Sequence, residues 1–282
     1  MSGRGDALVA VVGSANLDLV VMVERFPAPG ETVLGGDFLE VAGGKGLNQA
    51  VAAARTAASA VVCCVGEDDA GRLLASRLEE AGVDTRRVRR VATPTGRAFI
   101  QVAPGGENSI VVATAANAQL TAEEVRGALV ELRPAVVLAQ LEVPLESVLA
   151  AAMWASEHGA RFVLNPSPVR ELPDWLVGAC DPLVVNAGEA AEILGVAAGT
   201  DVAELAAALA ARALSVVVTD GARGAHVGMP TGVEHVLGVS VDALDTTGAG
   251  DEFVGHLAAA LLRGETLAEG AASANRAAAR VV

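Results

Sequence analysis

Short apolar runs alternate with longer segments of helical periodicity along most of the chain. The runs consist largely of Val, Leu and Ala and are bounded by Gly, Pro, Asn or Asp, which is typical of buried parallel strands. We predict strands at Leu8–Val12, Ala60–Val65, Ala135–Gln140, Arg161–Asn165, Pro182–Asn186 and Ser215–Thr219. Strands alternating with helices predict an α/β fold, a Rossmann-like parallel sheet sandwiched between two helical layers.

The predicted helices carry apolar residues at spacings of three and four, and most end at a glycine. The clearest begins at Asp251, where Phe253, Leu257 and Leu261 form one stripe and Gly264 follows the last turn. The segments read as helices are 73–81, Leu145–His158, Glu189–Leu194, Asp201–Ala213 and Asp251–Arg263.

Two segments break the strand–helix alternation. Residues 17–42 read as two strands around the turn Pro27-Ala28-Pro29-Gly30, and residues 95–113 read as a hairpin turning at Pro104-Gly105-Gly106. Neither contains a helical pattern. We expect a small β-sheet lid that projects from a single domain spanning residues 1–282.

Composition narrows the class of partners. The chain of 282 residues is 52% hydrophobic and 19% charged, as in globular proteins, and its formal net charge is −14. Such an acidic surface repels phosphodiester backbones and anionic lipids, so we expect no nucleic-acid partner and no membrane partner.

The cysteines and the N-terminal segment indicate a cytoplasmic protein. There are three cysteines, two of them adjacent at Cys63 and Cys64 within an apolar run, which predicts reduced, buried thiols. The apolar stretch after residue 6 is too short for a signal sequence, and no segment has the length of a membrane span.

The strongest chemical motif is the string from Asp245 to Asp251, Asp-Thr-Thr-Gly-Ala-Gly-Asp, at the start of a predicted helix. The small residues Gly248, Ala249 and Gly250 allow backbone N–H groups to approach an anion, and the helix dipole adds to the attraction. A carboxylate at Asp251 is then placed to accept a proton from an attacking hydroxyl. The alternative is a glycine-rich turn with Asp251 as an ordinary helix-start residue.

A second motif, Gly43-Gly44-Lys45-Gly46-Leu47-Asn48-Gln49-Ala50, follows the first β segment and opens a helix. Its glycines permit close approach by a polyol, with Lys45 and Asn48 as donors. Of the 20 basic residues, all but Lys45 are arginines, which indicates either a codon bias that favours Arg or a specific need for a compact ammonium at Lys45. The spacing is not that of a Walker loop, and a simple glycine-rich helix start is the alternative.

Three weaker motifs follow predicted strands, at the edge where α/β proteins bind ligands. Asn16 and Asp18 either share one side of an extended segment and bind hydroxyl groups, or belong to a turn with Asx side chains. Asn186 and Glu189 begin a helix, where Glu189 either orients water on Mg²⁺ or complements the helix dipole. The turn 219–224 is rich in glycine, so that its backbone can cover a phosphate or a base.

In their order along the chain these motifs resemble the ribokinase family of PfkB-type carbohydrate kinases. The resemblance runs from Val9 to about Ala279 and includes Pro29–Thr32, Gln140–Glu142 and Asn165-Pro166. It implies an ATP-dependent sugar kinase with a ribokinase-like fold and ribose as the expected acceptor, and a homodimer formed through the lid.

The resemblance also implies the roles of individual residues. Asp251 would be the base, and the amides of Gly248, Ala249 and Gly250 would hold the transferring phosphoryl group. The sugar would contact Asn16, Asp18, Gly44, Lys45, Asn48, Glu142 and Asp251. ATP would contact Asn186, Thr219, Gly221, Gly224, Gly250 and Asn275. Glu189 would bind Mg²⁺ through water, and Asp245 and Thr247 would contribute to a K⁺ site.

The chain departs from the family pattern in three places. Ala187-Gly188 lacks the usual hydroxyl, Glu252 adds a negative charge after the base, and family members continue beyond the position of Val282. The short C-terminus makes a catalytically impaired sugar-binding homologue one alternative. A kinase for deoxyribose, fructose or a nucleoside is another, because the same scaffold serves all of these substrates. An NAD-dependent oxidoreductase is disfavoured because the first strand is not followed by Gly-x-Gly-x-x-Gly.

Overall fold

The computed structural model describes residues 7–239, 241 and 248–281. The strands in chain order are β1 (Val9–Val12), β2 (Asn16–Met22), β3 (Phe38–Gly43), β4 (Ser59–Gly66), β5 (Asp84–Val91), β6 (Gly96–Val102), β7 (Asn108–Ala113), β8 (Val136–Gln140), β9 (Arg161–Asn165), β10 (Leu183–Asn186), β11 (Val216–Thr219), β12 (Gly224–Met229) and β13 (Gly232–Leu237). The α-helices are α1 (Lys45–Ala54), α2 (Asp69–Glu80), α3 (Ala122–Leu132), α4 (Leu145–His158), α5 (Asp174–Gly178), α6 (Ala187–Leu194), α7 (Val202–Ala210), α8 (Ala249–Leu262) and α9 (Leu267–Ala278).

Within the described residues, nine strands form the larger sheet in the order β13-β12-β11-β10-β9-β8-β1-β4-β5. Its pairs are parallel from β11 to β5, and β12 and β13 extend it as antiparallel strands. Helices α1, α2, α8 and α9 pack on one face, and α3 to α7 pack on the other. This arrangement confirms the predicted parallel-sheet sandwich.

The central strands are buried on both faces, which explains their uninterrupted apolar sequences. In β1, Val9 and Val11 face one helical layer, whereas Ala10 and Val12 face the other. Burying both sets of side chains removes apolar surface from water on each side of the sheet. The three cysteines are free and buried, as predicted.

The smaller sheet has the order β3-β2-β6-β7 and uses both of the segments that were predicted to be β-structure. β2 pairs antiparallel with β3 and parallel with β6, and β6 and β7 form the expected hairpin. Gly105 and Gly106 have positive φ in its turn. Because β2 begins only four residues after β1 ends, this sheet lies beside the edge of the larger one.

Several predicted boundaries were wrong. α8 begins at Ala249 rather than at Asp251, and α7 ends at Ala210 rather than at Ala213. Strand β5 was not predicted, because its sequence Asp-Thr-Arg-Arg-Val-Arg-Arg-Val lacks an apolar run. It is an edge strand with partly exposed side chains, and charged residues there discourage pairing with another chain.

No helix among the described residues is long and apolar enough to cross a membrane.

Helices α1 and α8 pack closely at Gly255. A Cβ atom there would overlap the Gln49 carbonyl oxygen and lie 2.7 Å from the Ala52 Cβ. We expect Gly255→Ala to lower the free energy of unfolding by about 1–3 kcal/mol, because overpacking displaces backbone.

Gly127 in α3 is the matched control, since a Cβ there meets nothing within 4 Å. Gly127→Ala should raise the free energy of unfolding by about 0.5–1 kcal/mol, through the higher helix propensity of Ala. Denaturant unfolding of both variants measures the difference. A stabilised Gly255→Ala protein would contradict the packing argument.

Candidate active site

Asp251 lies in the first turn of α8, against the start of α1. Its Oδ2 accepts a hydrogen bond from Asn48 Nδ2 at 3.0 Å, and its Oδ1 accepts one from Gln49 Nε2 at 2.9 Å. Asn48 and Asp251 are 203 positions apart in sequence. The fold thus brings the two strongest sequence motifs together, with both carboxylate oxygens held by amide donors.

The glycines of the second motif allow α1 to begin directly against the turn after β1. Gly44 precedes α1 with φ of 90°, and a Cβ there would lie 2.8 Å from the Asn16 backbone nitrogen. A Cβ on Gly46 would overlap the backbone of Ser14. At these two positions the space beside Cα is occupied by the protein's own backbone, so the fold itself requires glycine there.

Asp18 and Glu142 add two carboxylates to the same site. Asp18 projects from β2 against Gly43, where any Cβ would overlap its carboxylate. Glu142 follows β8, and its Oε2 accepts hydrogen bonds from Ser14 Oγ at 2.5 Å and from the Lys45 backbone N–H at 3.1 Å. These bonds fix the orientation of Glu142 beside the start of α1.

The environment of Asp18 disfavours its ionised form. Burial, followed by the negative charges of Glu142 and Asp251, raises the pKa of Asp18 to about 6. Its Oδ1 is buried and has no hydrogen-bond partner among the described residues. A buried acceptor of this kind is suited to bind a ligand hydroxyl.

Asn117 is a site residue that sequence reasoning missed. Its Nδ2 donates to Asn16 Oδ1 at 2.7 Å, and its Oδ1 accepts from the Ala15 N–H at 2.9 Å. It belongs to a short 3-10 segment, Ala115–Gln119, and is 1% exposed. A lone Asn in an alanine-rich stretch carries no motif, so only the fold reveals that it orients Asn16.

A cavity of about 220 Å³ lies on the other side of the α8 N-terminus. Ala249, Gly250 and Phe253 of α8 form part of its wall. Its lining also includes Thr219, Gly221, Gly224 and Asn275, so that five of the six residues predicted to contact ATP surround one space. Asn275 Nδ2 donates to Leu237 O at 3.2 Å and thereby ties α9 to β13.

Asn186 and Glu189 cap α6. Asn186 Oδ1 accepts from the Glu189 N–H at 2.8 Å, and Glu189 Oε2 accepts from the Asn186 N–H at 2.9 Å. This reciprocal capping box stabilises the helix start. Asn186 pairs in register with Thr219 on β11, which puts the cap next to the cavity wall.

Of the remaining predicted residues, some lie within the described part of the chain and others lie outside it. Lys45 is the first residue of α1, and Gly248 precedes α8 with φ of 80°. Asp245 and Thr247, predicted for K⁺, lie outside the described residues. Glu252 Oε2 lies 3.6 Å from the Arg55 guanidinium, which partly offsets the added negative charge. In the described part of the chain no three His, Cys, Asp or Glu side chains form a metal-binding group.

The fold and site define a class of protein. A parallel α/β sandwich with a carboxylate at a helix start, between a cluster of polar groups and a cavity, is an arrangement suited to phosphoryl transfer to an alcohol. The family model described as pfkB family carbohydrate kinase matches residues 6–282. The chain therefore belongs to the pfkB family of carbohydrate kinases, which transfer a phosphoryl group to a sugar.

Individual relatives agree with this assignment. The ribokinase of Haemophilus influenzae is 39% identical over 93% of this chain and 87% of its own. A deoxyribokinase of Salmonella typhi is 35% identical over 89% of this chain and 84% of its own. The structure of Arabidopsis thaliana ribokinase complexed with ribose and ATP superposes with a TM-score of 0.86, at 30% identity over 98% of this chain and 92% of the other.

Proposed function

We propose that the protein is an ATP-dependent kinase that converts D-ribose to D-ribose 5-phosphate. The single observation that carries the proposal is the position of the Asp251 carboxylate. It lies between a cluster of polar side chains on one side and a cavity walled by Ala249 and Gly250 on the other. Relatives named ribokinase support ribose as the acceptor.

The polar cluster is suited to hold the sugar. The carboxylates of Asp18 and Glu142 accept hydrogen bonds from hydroxyl groups, and the amides of Asn16 and Asn48 both donate and accept. We propose that the sugar contacts Asn16, Asp18, Gly44, Lys45, Asn48, Glu142 and Asp251. The side chain of Lys45, the single lysine of the chain, would supply positive charge to this acidic group.

In the proposed reaction Asp251 accepts the proton of the sugar's primary hydroxyl as that oxygen attacks the γ-phosphorus of ATP. The bond between the γ-phosphorus and the β–γ bridging oxygen breaks, and ADP leaves. The first-turn amides of α8 have no intrahelical acceptor and carry the positive end of the helix dipole. Gly248, Ala249 and Gly250 would therefore stabilise the negative charge of the transferring group.

The cavity beside α8 is proposed as the nucleotide site. Its apolar wall for a base consists of Val239, Val241, Phe253, Ala278 and Ala279. Thr219, Gly221, Gly224, Gly250 and Asn275 also surround it. Asn186 would lie near the phosphates.

The donor set near Asn186 fits Mg²⁺. That ion is usually held through one or two carboxylates together with phosphate oxygens and water. Glu189 supplies one carboxylate there, and its cap uses only Oε2 among the hydrogen bonds described. Bound Mg²⁺ would neutralise charge on the phosphates. K⁺ is expected as an activator on the strength of the sequence motif with Asp245 and Thr247.

ADP release measured across ribose, deoxyribose, fructose and adenosine tests the function, with and without K⁺. We expect the highest kcat/KM with ribose. Preference for deoxyribose would favour the second candidate, which the 35% identical deoxyribokinase supports. Calorimetric binding of ribose without ADP release in Mg²⁺, K⁺ and ATP would instead indicate an impaired sugar-binding homologue.

We further propose that the smaller sheet forms a homodimer contact. Phe38, Phe99 and Val111 expose apolar side chains on one face of this sheet, which a partner would cover. Val111 on β7 is 65% exposed. Val111→Asp should shift the protein from dimer to monomer in sedimentation, because a buried unpaired carboxylate opposes association. A wild-type monomer at micromolar concentration would refute the dimer.

A further inference from the structure

Three buried amide side chains lie beneath Asp251, and the proposed chemistry does not use them. Gln49 of α1 and Gln140 of β8 are 0% exposed, and Asn165 of β9 is 7% exposed. Gln49 Nε2 donates to Asp251 Oδ1 at 2.9 Å and to Asn165 Oδ1 at 3.0 Å, while Gln49 Oε1 accepts from Gln140 Nε2 at 2.5 Å. Both N–H groups of Gln49 are thus engaged.

The orientation of this chain of amides is set by a backbone group. Val184 O, in β10, can only accept, and it receives a hydrogen bond from Asn165 Nδ2 at 3.0 Å. Asn165 must therefore present its oxygen to Gln49, and Gln49 must present its nitrogen to Asn165 and Asp251. A flipped Gln49 amide would put Oε1 against two other oxygens.

The two oxygens of Asp251 have different surroundings. Oδ1 contacts Gln49, which is completely buried, whereas Oδ2 contacts Asn48, which is half-buried and belongs to the proposed sugar cluster. A sugar that engages Asn48 competes for its amide and approaches Oδ2. Oδ1 keeps its hydrogen bond from the buried Gln49 side chain.

We propose that Gln49 is a positioning residue for Asp251. It holds Oδ1 so that Oδ2 receives the proton of the sugar hydroxyl, and Asn165 fixes the direction in which Gln49 donates. This inference rests on the proposed kinase function and deepens it. Gln49 does not touch the sugar, so its loss should change kcat rather than substrate affinity.

Gln49→Met keeps the side-chain length and removes the donor. We expect kcat with ribose to fall about 10- to 100-fold, since misplacing a catalytic group by an ångström has that scale of effect. KM values for ribose and ATP should change less than about threefold, because the binding groups remain. Steady-state kinetics at saturating ribose and ATP measure both.

Gln140→Met is the matched control. It removes a hydrogen bond from the same amide, at an equally buried Gln, and leaves the donation from Gln49 to Asp251 in place. Gln49→Met removes three hydrogen bonds and should lower Tm more than Gln140→Met, which removes one. Only Gln49→Met should lower kcat more than about threefold. Equal losses of kcat in the two variants would indicate a purely structural network and overturn the inference.

A double-mutant cycle separates positioning from folding effects. In an Asp251→Asn background, adding Gln49→Met should leave the residual rate unchanged, because Gln49 acts through the Asp251 carboxylate. If Gln49→Met instead lowered the residual rate of Asp251→Asn by the same factor as it lowers the wild-type kcat, the inference would be contradicted.

Gln49→Glu covers the case in which the Met variant does not fold. In that variant an ionised carboxylate at position 49 repels Oδ1, whereas a protonated carboxyl group can donate to it. The kcat of Gln49→Glu relative to wild type should therefore recover as pH falls, and a constant ratio would contradict the inference.

If wild type turns over ribose and the Gln49 variants keep its kcat, only the positioning role fails. If wild type phosphorylates no sugar, the kinase proposal fails and the positioning role falls with it.

Discussion

Asp251→Asn is expected to lower kcat at least about a hundredfold, since a positioned general base contributes roughly 10²–10⁴ in rate. The amide cannot accept the proton of the attacking hydroxyl. ATP binding should be nearly unchanged, because the cavity wall at Ala249 and Gly250 keeps its shape. Initial rates at saturating ribose and ATP, with calorimetry for ATP, measure the two quantities.

Asp69→Asn is the control for this variant. Asp69 also lies in the first turn of a helix, α2, but it is exposed and its partner is Arg72. Its kcat should remain within about twofold of wild type, as for most surface substitutions away from a site. Near-normal turnover in Asp251→Asn would remove Asp251 from the mechanism.

Asp18→Asn should weaken ribose binding and at the same time stabilise the free protein. Replacing a buried charged acceptor with a neutral amide costs about 1.5–3 kcal/mol of binding, or roughly 10- to 100-fold in KM for ribose. Measured against wild type, the loss should be greatest near pH 7. As pH falls below about 6, Asp18 itself becomes protonated and wild-type binding should also weaken.

The stability effect has the opposite sign because the folded state raises the pKa of Asp18 from 3.8 to about 6. Below pH 3.8 the Asp18 carboxyl group is protonated in both the folded and the unfolded state and does not change the free energy of unfolding. Between pH 3.8 and 6 the unfolded chain ionises first, so the contribution of Asp18 opposes folding increasingly and is constant above about 6. At pH 7 the substitution should therefore raise the free energy of unfolding by about 1–3 kcal/mol.

Denaturant unfolding at pH 5 and pH 7 tests this, with Asp37→Asn on the exposed approach to β3 as the control. The increase in the free energy of unfolding caused by Asp18→Asn should be larger at pH 7 than at pH 5. A destabilised Asp18→Asn protein at neutral pH would mean that the carboxylate makes stabilising contacts in the free enzyme.

Much of the fold and part of the candidate site could be predicted from the sequence, because the relevant forces act over short stretches of chain. The central strands are apolar on both sides, and helix ends such as Gly159 adopt the left-handed conformation that glycine tolerates. The strings around Lys45 and Asp251 carry their small residues and donors within a few positions. Local pattern therefore indicated the α/β class, the smaller sheet and the candidate base.

Only the tertiary structure decided how these parts meet. Gln140 and Asn165 lie in strings that resemble the family pattern, and Asn117 lies in none. In no case does the local sequence distinguish a structural amide from one that orients another side chain. Their importance arises from contacts such as Gln49 to Asn165, 116 positions apart. The start of α1 and the start of α8 converge because both helices cover the same face of the sheet, and the amide directions follow from one backbone carbonyl at Val184. Sequence determined which groups are available, and long-range packing determined which atoms each one faces.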